Sequence, residues 1–288
     1  MKHRCSQGRD LWAGAVVALL LFDLVASDAR GQSAAAAEEI IAIASVGGVQ
    51  LQTRVRRPQG AGPHPLAIIN HGSPASGSER PTMEIPTYRP ATDWLLSKGY
   101  TVALPLRRGY GQTGGRWAEN YGSCRNPDYY HAGLATGDDI GAVVEFFRRR
   151  SEVKRQAILV IGASAGGWGS VAEASRNPNG VLGILNFAGG RGGHQPRVGN
   201  CAPRRLVEAA GRYGSTARIR SLWLYSENDT FFGPKLSRSM FDAYVRGGAP
   251  AQYVPLPAFG NDGHRVFNAP GGRTLWQAPA DEFLAQLK

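Results

Sequence analysis

Residues 158–170, ILVIGASAGGWGS, constrain this chain more than any other stretch. An unbroken apolar run enters a turn made of Gly162, Ala163, Ser164, Ala165, Gly166 and Gly167, and the residues beyond it read as a helix. A strand that passes straight into a helix leaves no room for large side chains beside the bend, and every flanking residue here is small. One serine stands at the apex. A chain that only had to reverse could use Asn-Gly or Pro-Gly. The G-x-S-x-G spacing in a strand–turn–helix context lifts the hydroxyl above the sheet edge. It also sets that hydroxyl beside a helix N-terminus, where free N–H groups favour negative charge. Ser164 is therefore the candidate nucleophile, with a purely structural turn as the competing reading. A dinucleotide site would want an acid about 20 residues further on, near the end of the next strand. The chain has LNFAGG there, and it has no Gly-Lys-Ser/Thr phosphate loop.

Around this turn, apolar strand-like runs alternate with amphipathic helices. EEIIAIASVGGVQLQTRVRRP reads as a hairpin turning at Gly47-Gly48. HPLAIINHG, TVALPL, QAILVIG, GVLGILNFAG, IRSLWLYSEND and AQYVPLP read as further strands. PATDWLLSKGY, HAGLATGDDIGAVVEFFRRR, AGGWGSVAEASR, PRRLVEAAGRYG, PKLSRSMFDAYVRGG and LWQAPADEFLAQL read as helices. The pattern predicts an α/β fold: a mostly parallel central sheet with helices on both faces and an N-terminal antiparallel hairpin. Ligands in such sheets sit beyond the carboxyl ends of the strands, so the residues just past each strand are the candidates for chemistry.

A serine hydroxyl needs a base, and the base needs an acceptor that fixes its tautomer. Asp229 follows the strand SLWLYSEND, and His264 lies in the loop PAFGNDGHRVF after the next strand. The expected triad is Ser164, Asp229 and His264, with Glu227 as the rival acid and Asp262 as a loop residue. An oxyanion needs two preorganised donors. The N–H groups of Ala165, directly after the serine, and of Ser73, in the loop HGSPASG, are the candidates. His71 is expected to order that loop. In PLRRGYGQTGG, Arg108 is expected to brace the turn through an ion pair, and Tyr110 to line the pocket. Trp168 is a second candidate for substrate contact, with a core role as the competing reading. His131 and His194 could touch substrate.

The first residues are set apart from the fold. MKHRCSQGRD is basic, LWAGAVVALLLFDLVA is a short apolar run broken by Asp23, and SDARGQSAAAA is rich in small residues. Residues 1–36 therefore read as a signal peptide, with processing between Ala26 and Ala37 and a periplasmic or extracellular product. An uncleaved anchor is the alternative, but the run falls short of the roughly 20 residues a span requires. No later segment suggests a stable membrane span. Residues 37–288 are left as one catalytic domain, a length able to bury a single large core at 42% hydrophobic composition. Removal of Cys5 leaves Cys124 and Cys201, which in an oxidising compartment predict a disulfide, or otherwise two buried thiols. No Cys or His spacing supplies a metal site. The formal charge of +11 comes mostly from scattered arginines, which does not make a nucleic-acid footprint.

These motifs resemble the α/β-hydrolase superfamily over nearly the whole mature chain. HGSP, RRGYGQTGG, GASAGG and END…DGH are in the order of its dienelactone hydrolase-like and prolyl-oligopeptidase-like branch. The resemblance implies a secreted serine hydrolase of the carboxylesterase type, acting without a cofactor on a small-molecule or polymer ester. Residues 189–218 would then form a small cap-like insertion pinned by the Cys124–Cys201 bridge. Two departures narrow the reading: the nucleophile is serine where dienelactone hydrolases proper use cysteine, and only about 30 residues separate the expected signal from HPLAIINHG, where prolyl oligopeptidases carry a propeller. Peptidase activity, an extracellular polyester or cell-wall ester as substrate, and a non-catalytic binding module stay open as alternatives.

Overall fold

Alternation of side chains across the strands sets the architecture. The computed structural model describes residues 38–193 and 199–287. The expected signal segment, Cys5 and His194 lie outside the described residues. Strands β1 (Glu38–Ala44) and β2 (Gln50–Arg56) form the antiparallel hairpin. They are followed by β3 (His64–Asn70), β4 (Thr101–Pro105), β5 (Val153–Ala163), β6 (Val181–Phe187), β7 (Arg220–Ser226) and β8 (Ala251–Leu256). The helices are α1 (Arg89–Ser97), α2 (Tyr129–Arg148), α3 (Ala165–Ala174), α4 (Pro203–Thr216), α5 (Pro234–Arg246) and α6 (Arg273–Ala285). The strands join one sheet in the order β1-β2-β4-β3-β5-β6-β7-β8. β2 pairs antiparallel with β1 and with β4, and every other neighbour pairs in parallel. Every expected strand and helix is present.

The central strands are apolar throughout because both faces are covered. On β5, Leu159 and Ile161 point into a core with Trp94 and Leu95 of α1 and Trp276 and Phe283 of α6. Ile158 and Val160 point the other way, toward Ile140, Val143 and Phe147 of α2. On that second face Trp168 of α3, Leu206 and Tyr213 of α4, Trp223 of β7 and Met240 and Tyr244 of α5 form a further cluster. α4 thus belongs to the helical layer. It is the crossover between β6 and β7, and its stripe Leu206, Ala209, Ala210 and Tyr213 is buried. The insertion expected over 189–218 therefore shrinks to the loop before α4, because a helix with that apolar stripe packs on the sheet rather than over the site.

The parallel register aligns the strand ends that matter. Asn70 of β3 sits opposite Gly162 of β5, which sits opposite Asn186 of β6. Ser226 of β7 sits opposite Leu256 of β8. The loops after these strands consequently share one rim. Among the described residues, no helix is long and apolar enough to cross a membrane, and no three His, Cys, Asp or Glu side chains gather where a metal could bind.

α2 and α3 approach closely because α2 offers glycines where α3 carries bulk. A Cβ at Gly137 or Gly141 would press on the carboxylate of Glu173. That carboxylate is buried, and Arg176 is its ion-pair partner at 3.2 Å. Burial outweighs Arg176 and pushes the Glu173 carboxyl up to about 7. A carboxyl raised on folding is best tolerated while protonated. Its ionisation therefore costs stability progressively above the unfolded value of about 4.3 and in full above about 7. Glu173→Gln is expected to be more stable than wild type by ~3–4 kcal/mol at pH 8.5, with the difference vanishing near pH 4. Urea unfolding curves at the two pH values check this. Equal midpoints at pH 8.5 would show that the ionised carboxylate is fully compensated.

Candidate active site

The turn from β5 into α3 leaves Ser164 at φ 53° and ψ −119°. That is a left-handed value seldom adopted by residues other than glycine, and it persists only where neighbours over-determine it. Here they do. The Ser164 N–H donates to the Phe187 carbonyl at 2.9 Å. The Ser164 carbonyl accepts from the N–H groups of Trp168 at 3.0 Å and Gly190 at 3.1 Å. A Cβ at Gly162 would collide with the Gly166 backbone, and one at Gly166 with the carbonyls of Asn70 and His71. The turn can be this tight only because those positions carry no side chain.

The loops after β7 and β8 bring Asp229 and His264 together. His264 Nδ1 lies 3.2 Å and 3.1 Å from the two carboxylate oxygens of Asp229. Asp229 Oδ1 also accepts from the N–H groups of Phe231 at 2.8 Å and Phe232 at 2.9 Å, so the buried carboxylate is held from two directions. The imidazole packs against the ring of Phe231 with centroids 4.6 Å apart. With Nδ1 turned to Asp229, Nε2 is the ring nitrogen left for other chemistry. Asp262 accepts from the backbone N–H groups of His264 and Thr230, which makes it the loop residue it was expected to be. Glu227 is exposed.

Ser164 and His264 border the same two cavities. One, of about 760 Å³, is lined by Ser73, Tyr88, Arg89 and Arg265. The other, of about 330 Å³, is lined by Ser73, Ala165, Arg191 and Phe231. A larger groove of about 910 Å³, bordered by residues of α4 and α5 and by Asp229, touches neither Ser164 nor His264. Gly72 brings the loop after β3 against Ser164: a Cβ there would stand 3.2 Å from the serine Cβ. Among the described residues, the N–H groups of Ser73 and Ala165 have no protein acceptor.

His71 holds that loop. Its Nε2 accepts from the Arg107 N–H at 3.2 Å, so the proton is on Nδ1, which donates to the Gly72 carbonyl at 2.7 Å. Burial, and then the Arg107 charge, lowers the His71 pKa to about 3, which keeps the ring neutral and this tautomer in place. Arg108 does form an ion pair, but with Asp139 of α2 at 2.6 Å. It therefore braces the helix behind the turn rather than the turn itself.

Two residues expected to contact substrate are placed elsewhere. Trp168 is fully buried, and its Nε1 donates to the Tyr129 carbonyl at 2.9 Å. One turn into α3 the side chain faces the helical layer, away from the rim. Tyr110 is also fully buried, with its hydroxyl 2.6 Å from Ser73 Oγ and 2.8 Å from a Glu119 oxygen. It stands behind the loop rather than in the cavity. His131 is exposed at the start of α2 and bonded to the helix cap Asp128 at 2.6 Å, and it lines neither cavity. Arg191 and Glu119, which no motif singled out, are buried at the site and form an ion pair there.

The arrangement is an α/β-hydrolase fold that brings Ser164 and His264 to shared cavities at the carboxyl rim of its sheet, with Asp229 hydrogen-bonded to His264. No protein-family model matches the sequence, and no curated protein matches it. Solved structures do. A Klebsiella pneumoniae protein provisionally assigned as a dienelactone hydrolase superposes with TM-score 0.61 at 17% identity, over 88% of this chain and 98% of that one. The Pyrococcus furiosus esterase Pf2001 gives 0.59 at 16% identity, over 87% and 93%. The Pyrococcus horikoshii acylaminoacyl peptidase gives 0.61 at 15% identity, but only 41% of its longer chain is covered. These likenesses show a shared fold.

Cys124 and Cys201 form a disulfide with Cα atoms 5.5 Å apart, joining the loop before α2 to the loop before α4. The bridge spans 77 residues. A link over that separation removes loop-closure entropy from the unfolded chain worth roughly 4 kcal/mol. The Cys124→Ser/Cys201→Ser double variant is expected to unfold at a clearly lower urea midpoint. Limited proteolysis should then cut first within residues 116–128 or 199–202. An unchanged midpoint would show that loop packing alone confines this wall.

Proposed function

We propose that the protein is an exported serine hydrolase that cleaves carboxylic esters. The observation that carries this reading is the convergence of Ser164 and His264 on shared cavities, with Asp229 behind the imidazole and two free N–H groups beside the serine. His264 takes the proton of Ser164 as its Oγ attacks the ester carbonyl carbon. The tetrahedral oxyanion accepts from the N–H groups of Ala165 and Ser73. His264 passes its proton to the leaving alkoxide, and the acyl group stays on Ser164. Water then repeats the sequence, releasing the carboxylic acid and restoring the serine. Export is supported by the basic–apolar N-terminal pattern and by the disulfide.

The cavity lining favours ester over aminopeptidase chemistry. Recognition of a substrate amine needs carboxylates near the nucleophile. Among the described residues, neither cavity is lined by Asp or Glu, whereas Arg80, Arg89, Arg191 and Arg265 all line one or the other. Arg80, Arg89 and Arg265 have no ion-pair partner among the described residues. Such a rim repels ammonium groups and draws in anions.

Purified protein is expected to hydrolyse short p-nitrophenyl esters and to bind a fluorophosphonate covalently at Ser164. Ser164→Ala should lose both properties while keeping its circular dichroism spectrum. Within a matched pair, 4-acetoxybenzoate should be turned over with a kcat/KM at least several-fold above that of its methyl ester, and the advantage should fall as salt rises. Faster cleavage of aminoacyl amides than of esters would move the protein to the peptidases. Absence of both turnover and labelling would leave a binding module.

A further inference from the structure

The proton inventory behind the loop after β3 is fully determined. Glu119 is entirely buried between two guanidinium groups. Arg107 Nε donates to Glu119 Oε1, and Arg191 Nη2 donates to Glu119 Oε2. Burial alone would raise the Glu119 pKa, but Arg107 and Arg191 outweigh it and hold the carboxyl far below the usual carboxylate range. An ionised carboxylate only accepts. The Tyr110 hydroxyl, 2.8 Å from Glu119 Oε2, must therefore donate to it. Having given its proton away, Tyr110 can only accept at its two other contacts, from Trp117 Nε1 at 3.2 Å and from Ser73 Oγ at 2.6 Å. Ser73 is thus the donor in that pair. Arg191 Nη1, 3.1 Å away, donates to Ser73 Oγ in turn. Both roles of the Ser73 hydroxyl are taken on the wall side, while the residue's N–H has no protein acceptor among the described residues. The preceding peptide is fixed as well, because His71 binds the Gly72 carbonyl at 2.7 Å. In a trans peptide the N–H points opposite to that carbonyl.

We propose that Arg191 and Tyr110 are positioning residues that tether the Ser73 side chain, so that its N–H is held ready as an oxyanion donor. The inference rests on the serine-hydrolase reading above. It gives the buried cluster a task beyond holding loops together: rigid donors cost no reorganisation when charge develops. Two cations against one carboxylate also leave one positive charge uncancelled behind the donor.

The test compares wild type with Ser73→Ala, which keeps the N–H and removes only the tether, and with Ser73→Thr, which keeps the hydroxyl. On p-nitrophenyl acetate, Ser73→Ala is expected to lose about 10- to 100-fold in kcat with KM within twofold. A phenylboronic acid, which becomes tetrahedral on the serine, should bind more weakly by a similar factor. Ser73→Thr should recover most of both losses. Arg191→Gln should behave as Ser73→Ala does, and Arg191→Lys should fall between it and wild type. All melting temperatures are to be recorded, so that Ser73→Ala, altered at a half-buried loop position, serves if an Arg191 variant fails to fold. Wild-type kcat and boronate affinity in Ser73→Ala would overturn the proposal. So would a loss confined to KM, which would make Ser73 a substrate contact. A wild-type protein with no ester turnover would sink the serine-hydrolase reading itself, a result distinct from either of these.

Discussion

The rim of the sheet depends on how closely the bend between β5 and α3 packs against its neighbours. Ser164 occupies a backbone conformation that costs about 1–3 kcal/mol. Three backbone hydrogen bonds and two glycine contacts hold it there. Because Gly166 lies against the carbonyls of Asn70 and His71, the same packing draws the loop after β3 to the serine. The seat of Ser164 and the approach of the loop after β3 are therefore one contact. Gly167 makes the matching contact with the Asn186 side chain on the other flank.

The remaining groups are placed by strand ends. Parallel pairing carries β3, β5, β6, β7 and β8 to a common edge, and each adds a loop there. Asp229 is fixed by two backbone donors and an imidazole. The bend, the acid and the histidine are consequently preorganised by three different loops whose roots lie in one rigid sheet.

What was legible in the residues was local. Apolar runs, glycine stops and the crowded bend announced the strands, the helices and Ser164, because these signals depend on neighbours in the chain. Asp229 and His264 were legible from chain order once the bend was assigned. Tyr110, Trp168 and the cluster were not. Glu119 and Arg191 stand 72 residues apart, and neither position shows that the other is buried beside it. Tyr110 follows a strand, as a rim residue would, but core packing of its ring and the bonds of its hydroxyl to Glu119, Ser73 and Trp117 hold it inward. Trp168 sits one turn past the serine, and its burial depends on partners distant in the chain: Leu206 and Tyr213 of α4 pack around it and the Tyr129 carbonyl accepts from its Nε1. α4 reads as a helix in the sequence, but that its stripe of Leu206, Ala209, Ala210 and Tyr213 packs on the sheet layer depends on partners such as Trp168 and Tyr244, which are distant in the chain.

The burial of Glu119 has a consequence for how the molecule is built. Its carboxylate can leave water only when both guanidinium groups are there to meet it, since an unpaired buried charge costs several kcal/mol. Arg107 comes from the end of β4, Glu119 from the loop before α2, and Arg191 from the loop after β6. Arg107 and Glu119 stand 12 residues apart, and the wall is complete only when Arg191, 72 residues beyond Glu119, reaches that pair. A partly assembled wall holding a dehydrated acid is not a state in which the chain can rest.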